Sequence, residues 1–219
     1  MPGTVIDDIE VLHSGHGGGT GVPAGGDGDG DRSGSSGPAA VPRRAYFTGL
    51  SLGLAAILMF FMALTSSYIV RKGLGAGWQT VRLPRILWLN TLVLLASSAT
   101  IEIARQKHSA GARDSFRRWW ALTTGLGVVF LAGQVMAWRQ LHAAGVFLAG
   151  NPASSFFYVL TAAHGAHLLG GVVALLYVAF RAWQRARINQ STAAELASIY
   201  WHFMDGLWVF LFVLLNLGR

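Results

Sequence analysis

The sequence predicts an all-α membrane protein: a bundle of five transmembrane helices that follows a disordered N-terminal tail. Three observations lead to this fold class. Of the 219 residues, 53% are hydrophobic and only 12% are charged, which is too apolar for a soluble domain of this size. Five apolar segments are each long enough to cross a bilayer. Residues 1–43, by contrast, hold twelve of the 28 glycines and no apolar stretch of useful length.

The tail comprises residues 1–43 and carries runs of glycine and aspartate, such as Asp-Gly-Asp-Gly-Asp at 27–31. Such a segment cannot bury enough surface to offset the entropy lost on ordering, so we expect it to be disordered. It also lacks the basic start and apolar core of a secretory signal. The chain therefore divides into a tail, 1–43, and a membrane domain, 44–219.

The membrane domain contains five apolar segments of at least about 20 residues, enough to span about 30 Å of hydrocarbon at 1.5 Å per residue. Each segment must be helical, because unpaired backbone groups are not tolerated in lipid. Glycine, proline and asparagine occupy the connections between them. The predicted spans lie near residues 45–70, 83–105, 116–139, 154–180 and 196–217.

The basic residues predict the orientation. Eleven of the 17 lysines and arginines fall on the side of the tail, and six fall on the opposite side. The positive-inside rule then places the N-terminus in the cytoplasm and the C-terminus outside. The formal charge of +7 is assigned to these loops and to contact with anionic headgroups rather than to nucleic acid, which is not an expected partner.

Several classes of site are excluded by what the sequence lacks. There is no cysteine, so disulfides, thiolate metal sites and catalytic thiols cannot form. No phosphate-binding loop, dinucleotide fingerprint or serine-centred hydrolase elbow occurs. We therefore expect no active site within this chain.

Four polar residues stand inside the predicted membrane layer. His202 and Asp205 lie three residues apart in the fifth span, and His164 and His167 lie three apart in the fourth. A carboxylate near the bilayer centre costs roughly 2.5–3.5 kcal/mol, so Asp205 needs a partner. Counting 1.5 Å per residue places all four groups in one layer, where a hydrogen bond between His167 and Asp205 is expected.

Trp201 and Trp208, seven residues apart, are expected to flank this layer, with their indole N–H groups directed at carbonyls or carboxylates. Three hypotheses fit the layer. The favoured one is a structural network that joins two helices; the others are a proton relay through histidine and a metal or haem site formed by the histidines.

Two further features concern packing. Glu102 lies within one turn of Arg105, which predicts an ion pair at the membrane interface. Six glycines on the third and fourth spans would permit close approach of helix backbones, namely Gly125, Gly127, Gly133, Gly165, Gly170 and Gly171.

The motifs resemble those of subunit III of the haem–copper oxidases. The final span is similar to the family's last-helix signature over residues 200–212 (Tyr-Trp-His-Phe-Met-Asp-Gly-Leu-Trp-Val-Phe-Leu-Phe), and Glu195 matches the acid that precedes it. Residues 156–171 resemble the family's helix with a histidine–glycine–x–histidine core, and residues 89–98 resemble a third family stretch. The resemblance runs through residues 46–217 in the family's order.

The resemblance implies an all-helical subunit of an oxidase that reduces oxygen and moves protons outward across a bacterial cell membrane. Haem and copper are expected in partner subunits. The family's subunit III packs beside subunit I, keeps the oxidase intact and supports proton uptake. It also holds phospholipid between its first two helices and the remaining five. Its polar network is expected to tie this chain's bundle together through His164, His167, Glu195, Trp201, His202, Asp205 and Trp208.

Two departures limit what is carried over. Five spans match the shorter bacterial forms, so a lipid cleft of the usual shape is not expected, and Ile57 stands where the family has a buried carboxylate. A related alternative is the equivalent subunit of a quinol oxidase or nitric oxide reductase. An alternative of a different class is a membrane cytochrome that binds haem through His164, His167 or His202.

Overall fold

The computed structural model describes residues 42–75, 77–78, 84–184 and 190–217, and almost all of them are helical. All five helices are long and apolar enough to cross a membrane, and no strand occurs in the described residues. The predicted all-α, five-span architecture is thus confirmed. The helices are α1 Arg43–Gly73, α2 Ile86–Ser109, α3 Arg113–Ala143, α4 Pro152–Trp183 and α5 Gln190–Leu217.

Each observed helix is longer than its predicted span, because it continues past the apolar segment into polar residues at one or both ends. Two ends do not extend: α2 begins at Ile86, just after Pro84, rather than at residue 83, and α5 ends at Leu217 as predicted. Of the predicted tail, residues 1–41 lie outside the described residues. Its disorder therefore stays a prediction, and Arg43 already belongs to α1.

Helices α2, α3, α4 and α5 form a closed ring in which each packs against the next, and α5 closes it against α2. Among the described helices, α1 lies outside this ring and contacts α4 and α5 alone. The two helices that carry the predicted polar layer, α4 and α5, are thus also the two that touch three others.

Local sequence explains where α4 begins. Asn151 precedes the helix, and its side chain accepts a hydrogen bond from the Ser154 amide at 3.0 Å. The Asn151 amide in turn donates to the Ser154 hydroxyl at 3.2 Å, so two otherwise unpaired amides are satisfied. Pro152 has no amide hydrogen and fits the first helical position without loss. This capping determines where α4 begins, and therefore how far along the helix His164 and His167 lie.

The core of the bundle is rich in aromatic side chains. Its fully buried aromatic residues come from four of the five helices. Large aliphatic side chains occur both in the core, as at Leu94 and Leu168, and on the outer surface, where the surrounding lipid is itself apolar. The fully buried aromatic residues are Phe61, Trp120, Phe130, Phe157, Trp201 and Trp208.

Candidate functional site: the polar contacts of helix five

Trp201 occupies the centre of the ring. Its side chain is fully buried, and its indole nitrogen donates a hydrogen bond to the Ser97 hydroxyl of α2 at 3.0 Å. A Cβ atom added to Gly127 of α3 would lie 2.6 Å from the Trp201 ring, and one added to Gly171 of α4 would lie 3.3 Å from it. The indole therefore fills a space that exists because α3 and α4 both carry glycine at this level.

The six predicted packing glycines divide into two groups. A side chain at Gly127, Gly133 or Gly171 would collide with a neighbour or press tightly against one, so the prediction of close approach is confirmed there. At the other three positions no atom lies within 4 Å of a built Cβ, and the prediction is wrong. Those three face outward on their helices: Gly125, Gly165 and Gly170.

Trp208 repeats the arrangement two turns further along α5. Its indole nitrogen donates to the Thr91 hydroxyl of α2 at 3.1 Å. Its ring centroid lies 5.0 Å from that of Phe130 on α3 and 5.0 Å from that of His164 on α4. Both tryptophans therefore bridge α5 to each of the other three ring helices.

The acceptors of both indoles correct the sequence prediction, which expected carbonyls or carboxylates. They are hydroxyls, and each hydroxyl uses its own hydrogen on a carbonyl of α2: Ser97 on Leu94 at 2.7 Å and Thr91 on Leu87 at 2.8 Å. A hydroxyl can donate one hydrogen bond and still accept another. It therefore satisfies the indole without leaving a buried carbonyl unpaired.

These α2 residues were missed by the sequence reasoning, although a signal for them exists. Thr91 and Ser97 are six residues apart on α2, and their tryptophan partners are seven apart on α5. Both separations are close to two helical turns. Hydroxyl residues spaced to match a tryptophan pair on another span would have indicated the contact.

The predicted hydrogen bond between His167 and Asp205 is wrong. Nδ1 of His167 donates to the Ala163 carbonyl of its own helix at 2.7 Å, and its ring packs against Phe61 of α1. Asp205 is 3% exposed, and neither carboxylate oxygen makes a hydrogen bond among the described residues. The ring of His167 thus faces α1, and no hydrogen bond joins it to Asp205.

His164 is fully buried, with its ring edge-on to Phe130 and tilted against Trp208. Neither ring nitrogen has a hydrogen-bond partner among the described residues. A porphyrin could reach this imidazole only if the surrounding aromatic rings moved apart. The geometry thus disfavours His164 as a haem ligand and favours a packing role.

His202 belongs to a half-exposed polar cluster between α2 and α5. Its Nδ1 lies 2.7 Å from the Ser98 hydroxyl, and its Nε2 lies 3.9 Å from a Glu102 carboxylate oxygen. Glu102 also pairs with Arg105, whose Nε lies 3.3 Å from the carboxylate, so that predicted ion pair is confirmed. We call these four residues the Glu102 cluster. Spacings of four and three residues place its α2 members on one helix face.

Glu195, like His167, contacts α1. Its carboxylate forms an ion pair with the Arg43 guanidinium, which joins the start of α5 to the start of α1. At the opposite ends of the same two helices, the Lys72 ammonium donates to the Leu217 carbonyl at 3.3 Å. Both contacts lie at the helix ends, where charged groups can reach the headgroup region.

Apart from Asp205, the site residues therefore make contacts that join helices. The tryptophans hold the ring, His202 joins α5 to α2, and Glu195 joins α5 to α1. Within the part of the chain that the structure describes, no three histidine or acidic side chains converge as metal ligands. The arrangement favours the structural network among the three hypotheses drawn from the sequence.

Comparison with known proteins agrees with the motifs. The family profile for cytochrome c oxidase subunit III matches residues 45–217. The cytochrome c oxidase subunit 3 of Synechocystis sp. is 29% identical over 175 residues, covering 77% of this chain and 74% of that protein. The probable cytochrome c oxidase subunit 3 of Mycobacterium tuberculosis is 32% identical over 176 residues (78% and 87%), and that of Nocardia farcinica is 33% identical over 180 residues (78% and 87%). The chain belongs to the cytochrome c oxidase subunit III family.

Proposed function

We propose that this chain is the subunit III of a cytochrome c oxidase in a bacterial cell membrane, that it binds subunit I, and that it carries no redox centre itself. In this role it stabilises the catalytic subunit and supports proton uptake into it. The proposal rests on the contacts of two α5 side chains: Trp201 and Trp208 fill the centre of the ring and donate hydrogen bonds to α2 hydroxyls. A bundle whose helices are joined by central polar contacts is suited to stabilising a neighbouring subunit.

The outer surface supports a role in an assembly. Large aliphatic and aromatic side chains are exposed along every described helix. In a membrane this surface contacts lipid or the helices of other subunits, and small differences in packing decide between them. Helix α1 presents most of its length in this way.

Support of proton uptake is assigned to the Glu102 cluster rather than to the buried acid. Glu102 and His202 are each 38% exposed, and a Glu102 carboxylate oxygen lies 3.9 Å from the His202 Nε2, so they can exchange protons with groups on a neighbouring subunit. Asp205 and His164 are enclosed by the ring. Glu102→Gln should therefore slow proton uptake by the oxidase, whereas Asp205→Asn should leave both its rate and subunit assembly near the wild-type level.

The orientation proposed is cytoplasmic for the N-terminus and external for the C-terminus, supported by the eleven basic residues on one side and six on the other. Because the chain has no cysteine, single cysteines report sidedness cleanly. Ser109→Cys, at the end of α2 that leads to α3, should react with an impermeant maleimide only in permeabilised cells. Ala149→Cys, between α3 and α4, should react in intact cells; the reverse pattern would invert the proposal.

The central test is isolation of the full chain from its native membrane in a mild detergent. We expect subunit I to accompany it, together with the haem absorption of that subunit. Trp201→Ala should reduce the amount of subunit I recovered per chain, whereas Val173→Ala, at an exposed position on α4, should not. Recovery of the wild-type chain without subunit I, or a haem absorption band from the chain alone, would overturn the proposal.

A further inference from the structure

A groove opens on the outer surface between α3 and α4, where α3 begins and α4 ends. It has a volume of about 290 Å³ and an almost entirely apolar lining. Four aromatic side chains form much of its wall, and a single arginine stands at its polar end. The aromatic residues are Phe116, Trp120, Phe180 and Trp183, and the arginine is Arg117. We call it the α3–α4 groove.

The groove exists because the sequence leaves space there. Ala121 on α3 and Ala179 and Ala182 on α4 line it with methyl groups where larger side chains would fill it. Its inner wall is fixed, since the Trp120 indole donates to the Leu175 carbonyl at 2.9 Å and Phe116 packs against the same ring. A fixed wall beside small side chains makes a permanent groove rather than a transient gap.

The polar end of the groove is cationic. The Arg117 guanidinium donates to the Trp183 carbonyl at 3.3 Å and lies 3.7 Å from the exposed Asp114 carboxylate. Its Nε is buried and has no hydrogen-bond partner among the described residues. Arg113 and Arg118 are exposed beside it, so residues 113–118 carry three arginines against one aspartate.

We propose that the α3–α4 groove binds one acyl chain of an anionic phospholipid, with the lipid phosphate held by Arg117 and its neighbouring arginines. Basic pockets between transmembrane helices are suited to such headgroups. The groove extends from Arg117 to Thr124, about 10 Å along α3, so it takes the upper part of a chain. Its volume suits one chain rather than a whole lipid.

This site is separate from the lipid cleft that the family resemblance implies, which lies beside the first helices of longer members. Helix α1 contributes no residue to the lining of the α3–α4 groove. The chemistry also differs from bulk solvation by lipid, because the cationic end selects for negative charge. A zwitterionic phospholipid presents the same acyl chain but gains less from three arginines.

The test is a count of lipid classes bound to the full chain, isolated from its own membrane in mild detergent with whatever subunits accompany it. Ala179→Phe fills the groove and Arg117→Gln removes the charge at its end. Each is expected to lose about one phosphatidylglycerol or cardiolipin per chain in quantitative mass spectrometry. Zwitterionic lipid should be unchanged, and Arg117→Lys should retain the anionic lipid.

Matched controls separate this site from general effects. Val173→Phe adds the same ring at an exposed position on α4, and Arg139→Gln removes one charge at the far end of α3; both should keep the wild-type count. The proposal would be overturned if all variants bound the same amount of anionic lipid. It would also be overturned if Ala179→Phe lost a zwitterionic lipid, or lost an accompanying subunit, instead of an anionic lipid. None of these outcomes depends on whether subunit I accompanies the chain.

Discussion

Helices α1 and α5 pack against each other, yet they are built in opposite ways. Helix α1 has the most apolar 18-residue window of the five, and only 6% of that window is buried. The corresponding window of α5 is less apolar, and 44% of it is buried. Within α1, only Phe61, Thr65 and Tyr68 are buried, whereas α5 contributes both central tryptophans.

The apolarity of a helix therefore does not predict how deeply it is buried within this bundle. A leucine side chain is as well solvated by lipid as by another leucine, so burying an apolar helix within the bundle gains little free energy. What places α5 inside is its mixture of large aromatic and polar side chains, which lipid cannot satisfy. The indoles of Trp201 and Trp208 find acceptors only in the ring.

Helix α1 is held by a few contacts at three levels. The Arg43–Glu195 ion pair lies at its start. Phe60 and Phe61 contact the His167 ring near its middle, and near its end Tyr68 packs edge-on against Phe156. We therefore expect changes in the ring to unfold the bundle and changes at α1 to loosen one helix.

The largest effect is expected for Trp201→Ala. Removing a fully buried indole leaves a cavity among three helices, which should lower the free energy of unfolding by about 3–5 kcal/mol. Trp183→Ala is the matched control, because its side chain is 66% exposed and should cost less than about 1 kcal/mol. Denaturant titration in detergent micelles measures both; equal losses would refute the central position of Trp201.

The next largest effect is expected at Gly127, which leaves space for the Trp201 indole. Gly127→Ala places a methyl group 2.6 Å from the Trp201 ring, and overpacking of this kind should cost about 1–3 kcal/mol. Gly125→Ala, two residues away with no atom within 4 Å, should be neutral or stabilise by up to about 1 kcal/mol. If both substitutions shift the thermal transition temperature in the same direction, the space at Gly127 does not determine the position of α5.

A single hydrogen bond can be isolated at Trp208. Trp208→Phe keeps an aromatic ring but removes the donor to Thr91, with an expected loss of about 1 kcal/mol. Thr91→Val removes the acceptor at nearly constant volume. A double-mutant cycle should give a coupling energy of about 0.5–1.5 kcal/mol; a coupling near zero would mean that the indole finds another acceptor.

The smallest effect is expected at the α1 contact. Arg43→Gln and Glu195→Gln each break an exposed ion pair and should cost about 0.2–1 kcal/mol, less at high salt. Protease or cysteine-labelling access to α1 should rise while the ring's unfolding transition stays in place. A loss as large as that of Trp201→Ala would show that α1 is integral to the ring.

Some features of the site could be predicted from short stretches of sequence. The Glu102–Arg105 pair followed from a spacing of three residues, and the common depth of His167 and Asp205, taken from the helical rise, stays a prediction. Their pairing could not be predicted, because depth fixes the position along the membrane normal but not the helix rotation. The same limit applied to the glycines: Gly125 and Gly127 differ by two residues, about 200° around α3, and only Gly127 faces the Trp201 ring.

Long apolar segments and contiguous motifs were enough to predict the number of spans, their helical state and the family, since lipid does not tolerate unpaired backbone groups. The position of α1 outside the ring could not be predicted in this way. Nor could the hydrogen bonds from Trp201 and Trp208 to hydroxyls of α2, or the lack of a hydrogen bond between Asp205 and His167. In lipid no hydrophobic force turns an apolar helix face inward, so the rotation of each helix is set by contacts with distant parts of the chain.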